Sequence, residues 1–128
     1  MIVARYLWAL PATLVGLLLA LLALCAGATT RRVEGCIEVA GGRFARLLTL
    51  VPPSMRFAAI SFGHVIIGTD HDLLRRVRRH EHVHVRQYER WGVLFFPLYA
   101  GSSLVQLLRG RDPYRDNCFE REAYAAER

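Results

Sequence analysis

The apolar and polar positions divide the chain into one long uncharged stretch and a series of shorter patterned segments. Tyr6 to Thr30 carries no charged side chain. At about 1.5 Å rise per residue, such a run can cross a hydrocarbon core of roughly 30 Å. The pattern predicts an N-terminal transmembrane helix within residues 1–30, leaving residues 31–128 as one small domain. A cleaved signal peptide is the competing reading, since one Arg precedes the run and Ala26-Gly27-Ala28 follows it. A buried soluble helix is the third. Arg5 flanks the run on one side and Arg31, Arg32, Arg43 and Arg46 follow on the other, a count that slightly favours a cytoplasmic C-terminal domain.

Downstream the periodicity changes repeatedly. Residues 33–40 partly alternate and predict a strand, with a turn at Gly41-Gly42. Residues 44–51 fit strand or helix and end at Pro52-Pro53. Residues 57–67 read as a strand that Gly63 interrupts. Thr69 or Asp70 then caps a helix reaching about Trp91, along which Leu74, Val77, His80, His84, Tyr88 and Trp91 recur every three or four residues. Residues 93–108 are a second uncharged stretch, interrupted by Pro97 and Gly101. It reads as a core helix, with a membrane-dipping face as the alternative. A polar loop over 109–117 leads to a short final helix over 118–128. The fold class expected is α+β.

Composition narrows the function classes. The chain is 53% hydrophobic and 22% charged, which argues against wholesale disorder. Net charge is +6, and all 17 basic residues are Arg. This balance fits a protein beside an anionic bilayer; no nucleic-acid recognition module accompanies it. Cys25, Cys36 and Cys118 have neither zinc-ribbon nor disulfide-framework spacing, although Cys36 and Cys118 can be drawn as a pair.

The chemistry concentrates in His80-Glu81-His82-Val83-His84, an H-E-x-x-H sequence. On a helix, His80 and His84 lie on one face and can share a metal. Two imidazoles with a carboxylate suit zinc. Glu81, one step round the helix, can act as base toward a water on the metal. A third ligand is required, and Glu120 is the candidate, with Glu122 as competitor. Gln87 shares the face of His84 and can meet a ligand, substrate or the final helix. Asn117 reads as that helix's N-cap. Tyr88 and Tyr124 can be oxyanion donors or core aromatics, and Trp91 core or an interfacial anchor. His64 reads as an edge-strand residue, and His71 and His82 as exposed. Arg75, Arg76, Arg78 and Arg79 read as a solvated or lipid-facing surface.

H-E-x-x-H followed by Glu120-Arg121-Glu122-Ala123 resembles the gluzincin branch of zinc metallopeptidases. The stretch from His80 through Phe95-Phe96-Pro97 to Tyr124 also resembles small bacterial proteins with a minimal zincin core. The resemblance implies zinc on His80, His84 and Glu120, Glu81 as general base, and hydrolysis of peptide bonds. It further implies an Asp steadying a zinc histidine where this chain has Tyr124. The combined expectation is a membrane-anchored zinc peptidase acting on a peptide or protein substrate, with a protein partner completing its cleft. A non-catalytic, zinc-stabilised membrane adaptor is the alternative.

Overall fold

A computed structural model describes residues 2–50 and 59–127. The helices are α1 (Ile2–Trp8), α2 (Leu10–Cys25), α3 (Gly42–Leu48), α4 (His71–Trp91), α5 (Phe95–Leu108) and α6 (Cys118–Glu127). The strands are β1 (Thr29–Val33), β2 (Cys36–Ala40), β3 (Ala59–Phe62) and β4 (Val65–Gly68). They form one mixed sheet in the order β1-β2-β4-β3, so the chain is α+β. The β1/β2 and β3/β4 pairs are antiparallel, and β2 runs parallel to β4.

The two predicted strands are each part of a hairpin. Residues 33–40 span the end of β1, the turn Glu34-Gly35 and all of β2. Both turn residues have positive φ, 51° and 81°, as a I′ turn demands. The second predicted strand folds back at Gly63-His64 into β3 and β4. Its first residues, 57 and 58, and the predicted stop at Pro52-Pro53 lie outside the described residues. The ambiguous run after Gly41 is helical, as α3. The α4 boundaries agree with the periodicity: Asp70 is the N-cap, its Oδ1 accepting from the Leu73 amide at 2.8 Å.

The sheet lies between α2 and α4. Successive side chains on a strand point to opposite faces, so Cys36, Ala40 and Ile66 meet Leu74 and Val85 of α4. Val39, Val65 and Ile67 meet Ala20 and Ala23 of α2. Glu38, facing α4 and 1% exposed, receives Nε and Nη2 of Arg78 at 2.9 and 3.0 Å. Arg78 is thereby a buried-pair residue rather than a solvated one. His82 also departs from its expected exposure: it packs half-buried with Nδ1 3.6 Å from Glu34, and burial pulls its pKa down.

Two helices are apolar on the wrong side for water. On α2, Ala12, Gly16, Ala20 and Ala23 are buried while Leu14, Leu18, Leu21 and Leu22 are more than half exposed. Gly16 is required there, since a Cβ would stand 2.7 Å from Val65 Cβ and 2.8 Å from the Phe62 carbonyl oxygen. On α5, the inward positions include Tyr99, Ser102, Ser103 and Gln106, whereas Leu98, Leu104, Leu107 and Leu108 face out. The expected core helix therefore turns its apolar side outward. The N-terminal run is helical as α2 over 16 residues, about 24 Å of rise. Among the described residues, the stretch long and apolar enough to cross a membrane is His71–Leu108, in the middle of the chain rather than at its start.

A buried polar knot fixes α1 and α2 to this frame. His64 stacks on Tyr6, with ring centroids 3.9 Å apart. Its Nε2 meets Glu89 Oε2 at 2.9 Å, and its amide donates to Thr13 Oγ1 at 3.1 Å. It is a structural clamp in the β3–β4 turn. His71 likewise is tied, to Thr29 Oγ1 at 2.7 Å. All three cysteines are free, so the Cys36–Cys118 pair does not form.

Candidate metal centre

The helical spacing of His80 and His84 puts both imidazoles on the side of α4 that faces α6. Asn117 starts α6: its Oδ1 accepts from the Phe119 amide at 2.9 Å. Its Nδ2 donates to the Tyr99 carbonyl at 2.9 Å and Ser103 Oγ at 2.8 Å. One buried side chain thus sets the start of α6 and its position against α5. Glu120, in the first turn, then reaches α4, while Glu122 is exposed.

Glu120 Oε1 lies 2.9 Å from Nε2 of His80 and 2.9 Å from Nε2 of His84. The two nitrogens are 3.3 Å apart. All three residues are buried, and together they could hold a metal ion. Ligands about 2.0–2.1 Å from a tetrahedral metal lie about 3.3 Å from one another; the two nitrogens have that separation, and Glu120 Oε1 stands slightly inside it at 2.9 Å from each.

The surrounding hydrogen bonds make the same demand. Gln87 Nε2 donates to the Phe119 carbonyl at 3.1 Å, which turns its Oε1 toward His84 Nδ1 at 2.8 Å. His84 Nδ1 therefore carries hydrogen, and in the neutral ring Nε2 presents a lone pair. Glu127 Oε1 stands 2.8 Å from His80 Nδ1, off the line of a hydrogen bond, and still favours hydrogen on that nitrogen. Lone pairs of two imidazoles and a carboxylate then converge, and a cation satisfies all three. Without a cation, a protonated imidazole instead donates from Nε2 to Glu120. Burial alone would raise Glu120, but the bonds from His80 and His84 hold it down to about 2. Burial lowers both histidines, and the Glu120 and Glu81 carboxylates together more than reverse this.

Glu81 sits beside the triangle, 6% exposed. Ser61 of β3 donates to its Oε2 at 2.8 Å. Burial raises its pKa, against the pull of His84, Ser61 and His80. Tyr99 donates to the second oxygen of Glu120 at 2.9 Å. The Tyr88 hydroxyl is bound to the Ser61 carbonyl at 3.0 Å, and that of Tyr124 to Tyr114 at 3.3 Å. Trp91 is partly exposed, at 38%.

The predicted site residues His80, Glu81, His84 and Glu120 thus come together, and Gln87 touches both a candidate ligand and the final helix. Ser61, Tyr99 and Glu127 join them unforeseen. The strand alternation could have flagged Ser61, which shares a face with its inward neighbours. Glu127 stands one helical turn beyond Tyr124, the position at which the resemblance implies a carboxylate. A cleft of about 900 Å³ opens over the triangle, walled by β3 on one side and the start of α5 on the other. No protein-family model, curated protein or solved structure matches this chain.

Proposed function

We propose that the chain is a zinc-dependent, gluzincin-like hydrolase of peptide bonds at a membrane. The carrying observation is the His80–His84–Glu120 triangle with the buried Glu81 carboxyl beside it, in a cleft along a strand edge. His80, His84 and Glu120 would hold zinc. Bound there, zinc supplies Lewis acidity that polarises a carbonyl and acidifies a water. Glu81, whose pKa burial raises, takes the water's proton and passes it to the leaving amine. Ser61 holds the Glu81 carboxylate in place. Gln87 and Tyr99 orient His84 and Glu120, the role the resemblance would give an Asp at position 124. Among the described residues β3 pairs only with β4, so its outer edge can take an extended peptide as an added strand. A partner protein extending this short wall would complete the cleft. The N-terminal segment serves as anchor, and the outward leucines of α2 and α5 support residence in lipid.

A non-catalytic reading has one observation in its favour. The metal triangle and Gln87 both bridge α4 and α6, so zinc would also staple two helices. Metal analysis and turnover separate the two. Wild type and Glu81→Gln are expected to carry near one zinc per chain, and Glu120→Ala far less. Equal zinc in Glu120→Ala and wild type would defeat the ligand assignment. A zinc-loaded wild type that cleaves nothing in a broad peptide library would leave the staple.

A further inference from the structure

The cleft and the outward-apolar face of α5 are continuous. Phe96 and Ala100 of α5 wall the cleft and are themselves exposed. Leu104 and Leu107 continue that stripe at helical spacing, 55% and 59% exposed. Across the opening stand Ile60 and Phe62 of β3. Phe62 rests on α2 at Gly16, and its ring is 6.4 Å from that of Phe96. The apolar surface of α5 therefore reaches the cleft mouth, while Phe62 meets α2 on that helix's buried face. Among the described residues no Arg lines the cleft, in a chain with 17 of them. Its acids and histidines all belong to the metal cluster or its neighbours, so among the described residues no cationic side chain outside that cluster faces the cleft.

From this we infer that the cleft opens into lipid, and that its substrate is an extended apolar polypeptide segment supplied from the bilayer rather than a water-soluble peptide. The inference rests on the peptidase reading and specifies its substrate class. Leucines facing out and small or polar residues facing in are the arrangement for lipid, where close helix approach replaces apolar burial. A bilayer covering the outward face of α5 reaches Phe96 at the cleft mouth, with Phe62 across from it. The free edge of β3 selects a chain that offers backbone N–H and C=O groups, and the phenylalanines select apolar side chains along it.

The test uses the full zinc-loaded Glu81→Gln chain in phosphatidylcholine vesicles, so that binding is read without turnover. Two benzophenone peptides share one apolar centre; apolar flanks send one into the vesicle and polar flanks keep the other in water. A benzophenone N-acyl amide serves as the lipid control. The vesicle-borne peptide is expected to label β3 and the start of α5 at least tenfold more than the soluble one. Leu104→Ser with Leu107→Ser should shrink that ratio at unchanged zinc content. Equal or greater labelling by the soluble peptide, labelling by the N-acyl amide alone, or no labelling by either peptide overturns the inference. Failure of the parent reading looks different: wild type cleaves neither peptide while Glu81→Gln still labels.

Discussion

Gln87 has two hydrogen bonds with separate consequences. One fixes the tautomer of His84; the other joins α4 to the backbone of α6. Removing such a partner of a ligating histidine typically weakens metal binding about 10–100-fold. Gln87→Ala should show that loss in competition with a chromophoric chelator. Glu127→Ala should lose less, because its contact with His80 is misaligned and its side chain is 37% exposed. Elsewhere, Arg78→Met leaves the Glu38 carboxylate buried without its partner, which should cost about 3 kcal/mol. Thermal unfolding in detergent would read this, and a shift under 1 °C would contradict it. Cys36 offers a chemical check. Burial pushes its thiol up to about 12, so at pH 8 it stays protonated and slow to alkylate. Mass spectrometry should find maleimide on Cys25 and Cys118, and on Cys36 only after unfolding.

At the level of elements, what the sequence revealed depended on how local the determining interaction is. The α4 helix was legible because its cap and its apolar spacing lie within one segment. His80, Glu81 and His84 were legible for the same reason. The β1–β2 hairpin was not, because its turn places Glu34 at φ 51°, a conformation usually given to Asn or Gly. Tyr99 was hidden because a hydroxyl inside an uncharged run reads as a core aromatic; its partner Glu120 is 21 residues away. The orientation of α5 could not be read from apolar content, since an outward and an inward stripe have the same composition. What distinguishes them is the buried polar seam of Asn117 with Ser103 and Tyr99. On α2 the inner face is set by contact distance, and Gly16→Leu should fail to fold or lose more than about 2 kcal/mol by overpacking. Leu18→Ala, on the outer face, should leave the detergent melting temperature within a degree or two. Similar effects of the two changes would reverse the assigned faces.

For the molecule as a whole, the proposed lipid contact and metal binding each predict a measurable dependence. Apolar insertion is insensitive to ionic strength, whereas attraction of arginines to anionic headgroups is screened. The protein should therefore float with neutral vesicles in 1 M salt, and its release would mean that charge alone holds it. Zinc that binds only the folded chain stabilises it by about 2.7 kcal/mol at a hundred times its dissociation constant. Chelation should accordingly lower the melting temperature, and added zinc should restore it. An unchanged melting temperature after verified zinc loss would uncouple the site from the fold.

The spacing of the ligands along the chain also sets an order of events. His84 and Glu120 are separated by 36 residues, and the intervening segment includes all of α5. A growing chain exposes the histidine pair first, then delivers α5, and only afterwards makes the carboxylate that closes the triangle. Completion of the centre therefore has to follow synthesis of α5. Chains halted after residue 117 should accordingly bind zinc no more tightly than an isolated histidine pair, even when already bound to vesicles.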